Sequence, residues 1–199
     1  MFLKMKTLTI IFLLVSSIGA LVGLAVWLLP TTMVVETETT VLAPAPMLYQ
    51  KVVHLGQFHT WSPWIMKDPG QRHHITGTDG TIGSQYHWDG VAEKGSGSQT
   101  IAAIIPNKEV RMDCHIKTPY ESKPTFTYQL QPQQDGSTTV AKVVFTLEMG
   151  RPFNVISRLI GLRAEIEASN VLALQNLKRI CEAEALKAAV RQPLAANAQ

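Results

Sequence analysis

Apolar and polar residues alternate along two stretches of the chain, Glu109–Lys117 and Thr138–Glu148. A period of two is typical of a strand in a sheet with one covered face and one wet face. Other short runs rich in β-branched residues are bounded by Gly, Pro and Asp turns, which favours further strands. The seven predicted strands are Thr31–Val41, Arg72–Thr76, Ser84–Trp88, Ser98–Ile105, Glu109–Lys117, Thr125–Gln131 and Thr138–Glu148. Because their connections are short, we expect antiparallel pairing.

Helical spacing replaces this alternation near the C-terminus. Residues 152–190 are rich in good helix formers, and six apolar residues recur on one side of the predicted helix. These are Ile156, Leu159, Ile166, Leu174, Leu177 and Cys181. Arg163, Glu167 and Asn170 fall on the same side. Either Gly161 breaks the helix and shifts its phase, or these polar groups face a polar cavity.

The first 29 residues have the pattern of a membrane anchor. Residues 1–6 are basic, and Thr7–Leu29 is a run of 23 residues without charge. As a helix, that run would be about 34 Å long and would cross a hydrocarbon core of about 30 Å. A secretory signal has a shorter apolar region and a nearby cleavage site, so we predict an uncleaved anchor. Lys4 and Lys6 precede the span, which predicts a cytoplasmic N-terminus and an extracytoplasmic domain, periplasmic or extracellular.

Residues 31–190 have the length of one self-sufficient domain. Two short helices, separated at Gly56, are predicted between its first two strands, and the tail 191–199 is predicted to be disordered. The net charge is only +3, and no basic run interleaves with aromatics, so nucleic acid is not an expected partner.

Cys114 and Cys181 have no zinc or redox spacing. We interpret them as small buried residues, with a disulfide as the alternative.

The motifs between Trp61 and Ile101 carry a family resemblance. The segment begins with WSPW and DP, continues as G-x-DG-x-IG-S-x-Y-x-W-x-G from Gly77, and ends as G-x-G-S-x-x-I from Gly95. With the final Leu174-x-x-Leu177-Lys pattern, these motifs resemble the START-like (SRPBCC) superfamily, and more narrowly its polyketide cyclase/dehydrase and lipid transport branch. The resemblance covers roughly residues 33–188.

This resemblance implies an α+β helix-grip fold, in which a curved, seven-stranded antiparallel sheet wraps round a long C-terminal helix. Two short helices follow strand 1, and one N-terminal transmembrane helix precedes the domain. An apolar cavity is expected between sheet and helix. The matched glycines and tryptophans are interpreted as turn-forming and space-filling residues. One such fold hosts many functions, so no catalytic residue can be transferred.

A search for chemistry finds no strong motif. The six histidines lack HxxxH or HExxH spacing, so we predict surface histidines and no metal site. GSGS at Gly95–Ser98 lies before a strand and is interpreted as a turn, not a nucleophile elbow. Cys114 and His115 are adjacent on a strand and therefore face opposite ways. The sequence predicts no catalytic residues and no cofactor.

The remaining candidates are residues expected to line the cavity. They are Tyr86, Trp88, Met112, Cys114, Phe126, Tyr128, Phe145, Arg163 and Glu167. A filled core is the alternative for the apolar members. The predicted function is a membrane-anchored domain, tethered by Thr7–Leu29, that binds a lipid or other apolar small molecule without catalysis.

Two alternatives stay open. One is a protein-interaction domain with a collapsed cavity. The other is a cyclase or dehydratase of aromatic or polyketide-like substrates in which a cavity carboxylate, a histidine, or Arg163 and Glu167 act as acid and base. The sequence leaves the ligand, the oligomeric state and the biological process undetermined.

Overall fold

A computed structural model describes residues 2–68, 70–90 and 95–196. Its helices are α1 (Phe2–Leu28), α2 (Ala45–Val53), α3 (Phe58–Trp61), α4 (Pro63–Met66), α5 (Phe153–Leu159) and α6 (Leu162–Ala196), with a 3₁₀ turn at Leu55–Gln57. Its strands are β1 (Thr32–Val41), β2 (Arg72–Thr76), β3 (Gln85–Asp89), β4 (Ser96–Ile105), β5 (Glu109–Thr118), β6 (Thr125–Pro132) and β7 (Thr139–Glu148). Each predicted strand is confirmed, with bounds shifted by no more than two residues.

Among the described residues, the strands form one antiparallel sheet in the order β1-β7-β6-β5-β4-β3-β2. The first and last strands pair along their whole length, from Thr32 opposite Glu148 to Val41 opposite Thr139. The register places one end of every strand along the same edge of the sheet, the edge at which α1 leads into β1. We call this end of the sheet, where β1, β2, β4 and β6 begin and β3, β5 and β7 end, the α1 end.

The apolar and polar residues that alternate along the strand sequences correspond to side chains that are alternately more and less buried in the structure. Along β7, successive residues from Thr139 to Leu147 are buried and half-buried in turn. The buried side chains of the sheet face α6 and the short helices, and together they form one apolar core. Leu174 and Leu177 of α6 and Trp61 of α3 are fully enclosed in it. This is the helix-grip arrangement, so the predicted fold class is confirmed.

The long C-terminal segment is two helices, because the chain breaks at Gly161. Its φ of +72° is left-handed backbone, which glycine adopts at little cost and which ends a helix. The predicted break is therefore confirmed. Helix α6 then runs along β1: Arg163 Nη1 donates to the Val34 carbonyl oxygen at 2.9 Å and Lys178 Nζ to the Thr40 carbonyl oxygen at 2.7 Å.

Helix α6 extends farther than expected. It continues to Ala196, so the first part of the tail predicted to be disordered is helical, while residues 197–199 lie outside the described residues. Cys114 and Cys181 are both free and buried, which agrees with their interpretation as small core residues rather than a disulfide.

One helix near the N-terminus, Thr9–Leu28 within α1, is long and apolar enough to cross a membrane. The side chains of residues 9–24 are all exposed, because α1 does not pack against the sheet. Its last turn contacts the domain: Arg151 Nη2 donates to the Trp27 carbonyl oxygen at 2.8 Å, and Asn154 Nδ2 donates to the Leu29 carbonyl oxygen at 3.1 Å. Without these contacts the last carbonyls of α1 would lack partners, as they do at any helix end.

A candidate ligand cavity between sheet and helices

A cavity of about 310 Å³ lies between the inner face of the sheet, helices α3 and α4, and the first turns of α6. Sheet, helices and loops each contribute part of its wall. The lining residues are Phe58, Trp61, Ser62, Trp64, Ile65, Gln71, Tyr86, Trp88, Gly95, Gln99, Cys114, Ile116, Thr118, Pro119, Ser122, Pro124, Phe126, Tyr128, Phe145, Leu147, Leu162 and Ile166. The space would hold on the order of ten waters at about 30 Å³ each, so the cavity is not collapsed.

Aromatic rings form a continuous part of the wall. Phe58 and Trp61 meet edge to face with centroids 5.1 Å apart, and Trp61 meets Tyr128 in the same way at 5.6 Å. Tyr86 lies 5.7 Å from Phe58 and 6.5 Å from Trp88. Such pairs favour these offset geometries and hold one another in place. This side of the cavity is therefore stiff and apolar.

The two tryptophans of WSPW have different surroundings. Trp61 is fully buried, and its indole Nε1 donates to the Lys51 carbonyl oxygen at 3.0 Å. Trp64 also lines the cavity but is 40 % exposed, with the Lys67 ammonium 5.0 Å from its ring centre. Trp61 therefore fills space, as the sequence suggested, whereas Trp64 lies where the wall meets solvent.

Trp88 reaches the wall because residue 97 has no side chain. A Cβ at Gly97 would lie 2.5 Å from the Trp88 ring and 2.4 Å from the His115 carbonyl oxygen. Gly97 has no left-handed φ, so it is required for this close approach rather than for a turn. The interpretation of Gly97 as a turn or bend glycine is corrected here.

The polar groups of the wall are neutral. Burial raises the pKa of Tyr86 to about 12, that of Cys114 to about 12, and that of Tyr128 above its ordinary value. The Tyr86 hydroxyl donates to Gln71 Oε1 at 3.4 Å, a long hydrogen bond that a ligand oxygen could replace. The described lining residues include no Asp, Glu, Lys, Arg or His. The cavity therefore offers apolar contact with a few uncharged hydrogen-bonding groups.

The structure brings together most of the residues predicted to line the cavity. Six lie on its wall: Tyr86, Trp88, Cys114, Phe126, Tyr128 and Phe145. Met112 does not. It is fully buried behind the wall, where its sulfur accepts a hydrogen bond at 3.1 Å from Nε2 of the lining residue Gln99.

Arg163 and Glu167 were predicted to line the cavity, and both are exposed. The break at Gly161 restarts the helix with a new phase. Ile166, which the sequence already placed on the buried side of the helix, faces the cavity together with Leu162, four residues before it, whereas Arg163 and Glu167 face solvent. Among the described residues, no group of three or more His, Cys, Asp or Glu side chains could hold a metal ion.

Sequence reasoning missed the contributions of the short helices and the loops. Phe58, Trp61, Trp64 and Ile65 form one wall, and the apolar cluster around WSPW was a signal for them. Thr118, Pro119, Ser122 and Pro124 form another part of the wall. They carry no hydrophobic period, so only the folded loop reveals their position.

Solved structures share this fold. The di-domain ARO/CYC StfQ from the steffimycin biosynthetic pathway matches with a TM-score of 0.58 and 14% identity, covering 78% of this chain and 52% of StfQ. A protein from Nitrosospira multiformis matches with a TM-score of 0.55 and 15% identity, covering 76% of this chain and 98% of that one. Protein CV1439 from Chromobacterium violaceum matches with a TM-score of 0.53 and 12% identity, covering 75% and 96%. No family model and no curated protein matches this chain.

Proposed function

We propose that this protein is a membrane-anchored binding domain that holds a lipid or other apolar small molecule in the cavity between sheet and α6, without catalysis. The cavity itself is the observation that carries the proposal: it is open space of about 310 Å³, walled by aromatic and aliphatic side chains and without charge among its described lining residues. That volume is at the lower end of the range for ligand sites. We therefore expect one small apolar molecule or one acyl chain.

Affinity would come from removing apolar ligand surface from water. At about 25 cal/mol per Å², burying about 200 Å² of ligand contributes about 5 kcal/mol before ordering terms are subtracted. The Tyr86 hydroxyl and the Gln71 amide could orient one polar group of the ligand. Helix α1 would keep the domain at the bilayer, where such ligands are concentrated, with the N-terminus cytoplasmic and the domain outside.

The two alternatives have less support. An enzyme using Arg163 and Glu167 loses its acid and base, because both side chains are exposed outside the cavity. The Cys114 thiol has no histidine among the described lining residues, and its raised pKa disfavours the thiolate. An interaction domain was expected to have a collapsed cavity, and this cavity has room for a ligand.

The proposal is tested with the full chain in lipid nanodiscs supplied with a diazirine-bearing fatty acid. After illumination, peptide mass mapping should place adducts on lining residues such as Phe126 and Tyr128. The variant Leu162→Trp would fill the cavity and should lose these adducts, whereas Leu186→Trp, far along α6, should keep them. Adducts confined to α1, or unchanged in Leu162→Trp, would contradict ligand binding in the cavity.

A further inference from the structure

Helix α5 has an inverted pattern of burial. It buries the polar residues Asn154 and Ser157 and exposes apolar ones. Phe153 is 60 % exposed, Leu159 81 % and the following Ile160 70 %. A contiguous exposed apolar surface of this kind marks a place where protein or membrane is bound.

The contact with α1 explains the buried side of α5. Asn154 is enclosed because its Nδ2 donates to the carbonyl oxygens of Leu29, at 3.1 Å, and Val26, at 3.4 Å. Arg151, just before α5, donates to the Trp27 carbonyl oxygen and holds its guanidinium 5.8 Å from the Trp27 ring centre. Two side chains therefore fix α5 to the last turn of α1.

This connection determines the depth of α5 once α1 is placed in a bilayer. The apolar span of α1 ends at Leu28, so its last turn would lie at the boundary between hydrocarbon and headgroups. Trp27 is a residue type that prefers this boundary. Helix α5 would lie at the same depth, its apolar residues outward and the exposed Arg151 and Arg158 beside it. That is the composition of a helix lying in the membrane interface.

Part of the cavity wall lies at the same end of the molecule. Leu147 and the lining residues Thr118, Pro119, Ser122 and Pro124 of the loop between β5 and β6 are at the α1 end of the sheet, and Leu162 precedes Arg163, which bonds to the first half of β1. In that loop Tyr120 is 81 % exposed. An aromatic side chain with a polar tip also suits the interface.

We propose that α5 is an interfacial helix that seats the domain on the bilayer into which α1 inserts, with this part of the cavity wall facing the lipid. This inference rests on the membrane anchoring in the proposed function. The exposed apolar face of α5 is assigned to the lipid interface, because that face continues directly from α1. A ligand would then pass between membrane and cavity without crossing bulk water.

The test uses the full chain reconstituted in vesicles of phosphatidylcholine and phosphatidylglycerol. An environment-sensitive fluorophore is attached to Leu159→Cys, with Leu186→Cys as the matched control and Val15→Cys reporting on α1. The native thiols of Cys114 and Cys181 are buried and have pKa values raised to about 12, so they should react slowly. Leu186 is also exposed and apolar, but it lies 24 residues beyond Leu162, about 36 Å along α6 at 1.5 Å per residue.

In vesicles, the emission of the label at position 159 is expected to shift to the blue. The label should be quenched by lipids that carry a nitroxide near the headgroup, and aqueous iodide should quench it only weakly. The Leu186 label should behave in the opposite way. Equal iodide quenching at the two positions would overturn the inference. Protection from iodide without quenching by lipid would also overturn it, because a protein surface would then cover α5.

The Val15 label distinguishes a failure of the inference about α5 from a failure of the proposed membrane anchor. If Val15 is quenched by a nitroxide deep in the acyl chains and Leu159 is not quenched by lipid, only the inference about α5 fails. If Val15 is not quenched, the membrane anchor fails and the inference fails with it. Ile160→Cys provides a second position, in case the Leu159 variant is poorly folded.

Discussion

Helices α5 and α6 are separated by two residues and bury opposite kinds of side chain. Helix α6 buries Leu174 and Leu177 and exposes Arg163 and Glu167, as expected for a helix between an apolar core and water. Helix α5 buries Asn154 and exposes Leu159. The difference shows that a side chain is placed by what its helix packs against, and α5 packs against the polar end of another helix.

The largest expected effect is the difference in unfolding free energy lost when a leucine is truncated in α6 and in α5. Leu177→Ala in α6 should lower the free energy of unfolding by about 2–5 kcal/mol, because it removes buried atoms and leaves a cavity. The matched variant Leu159→Ala in α5 should change it by less than about 0.5 kcal/mol, since that side chain is exposed. Urea denaturation of the full chain in detergent micelles measures both. Equal losses for the two variants would show that α5 belongs to the core.

The next effect concerns the contact between α5 and α1. Asn154→Ala should lower the free energy of unfolding by about 1–2 kcal/mol, because two part-buried carbonyl groups lose their donor. Amide hydrogen exchange at residues 26–31 should become faster. Arg158→Ala on the exposed face of the same helix is the control and should leave both quantities unchanged. If exchange at residues 26–31 is the same in Asn154→Ala, α5 does not hold the end of α1.

A smaller effect is expected at the junction between the helices. Gly161→Ala places a Cβ on a residue with φ of +72°, which should lower the free energy of unfolding by about 1 kcal/mol. Gly150→Ala is the control, since Gly150 has no left-handed φ and its added Cβ would meet no atom within 4 Å. Thermal unfolding followed by circular dichroism distinguishes them. A neutral Gly161→Ala would mean that the break is held by other contacts.

The smallest expected effect on stability comes from the buried Cys114 thiol, which contributes nothing at neutral pH. Its pKa is raised by burial from an ordinary value of 9.0 to about 12, so between these values the unfolded chain ionises and the folded chain does not. The free energy of unfolding should therefore be independent of this thiol below about pH 8 and should fall as pH rises from about 9 towards 12. Cys114→Ala should reduce that slope in denaturation measured across the range. An unchanged slope would show that the thiol is already ionised in the folded protein or is not buried.

Local pattern predicted most of the architecture. The alternation along β5 and β7 is a property of neighbouring residues, because successive side chains of a strand point to opposite faces. Gly161 could likewise be identified as a break, since it interrupts one helical phase and the next begins beyond it. Six of the nine residues predicted to line the cavity lie on its wall for the same reason: strand phase alone determines which side they face.

The tertiary structure decided features that the phase of a strand or helix does not determine. Whether an inward residue lines open space depends on its neighbours from other strands: Gln99 lines the cavity, whereas Met112, which accepts a hydrogen bond from it, does not. Leu162 joins Ile166 in the cavity wall, whereas Arg163 and Glu167 are exposed, because α6 begins anew after the break and runs along β1. The inverted burial of α5 depends on the end of α1, more than 120 residues earlier in the chain. The sequence by itself therefore determined the elements and the faces of the strands, whereas the space between them was decided only when elements far apart in the chain packed together.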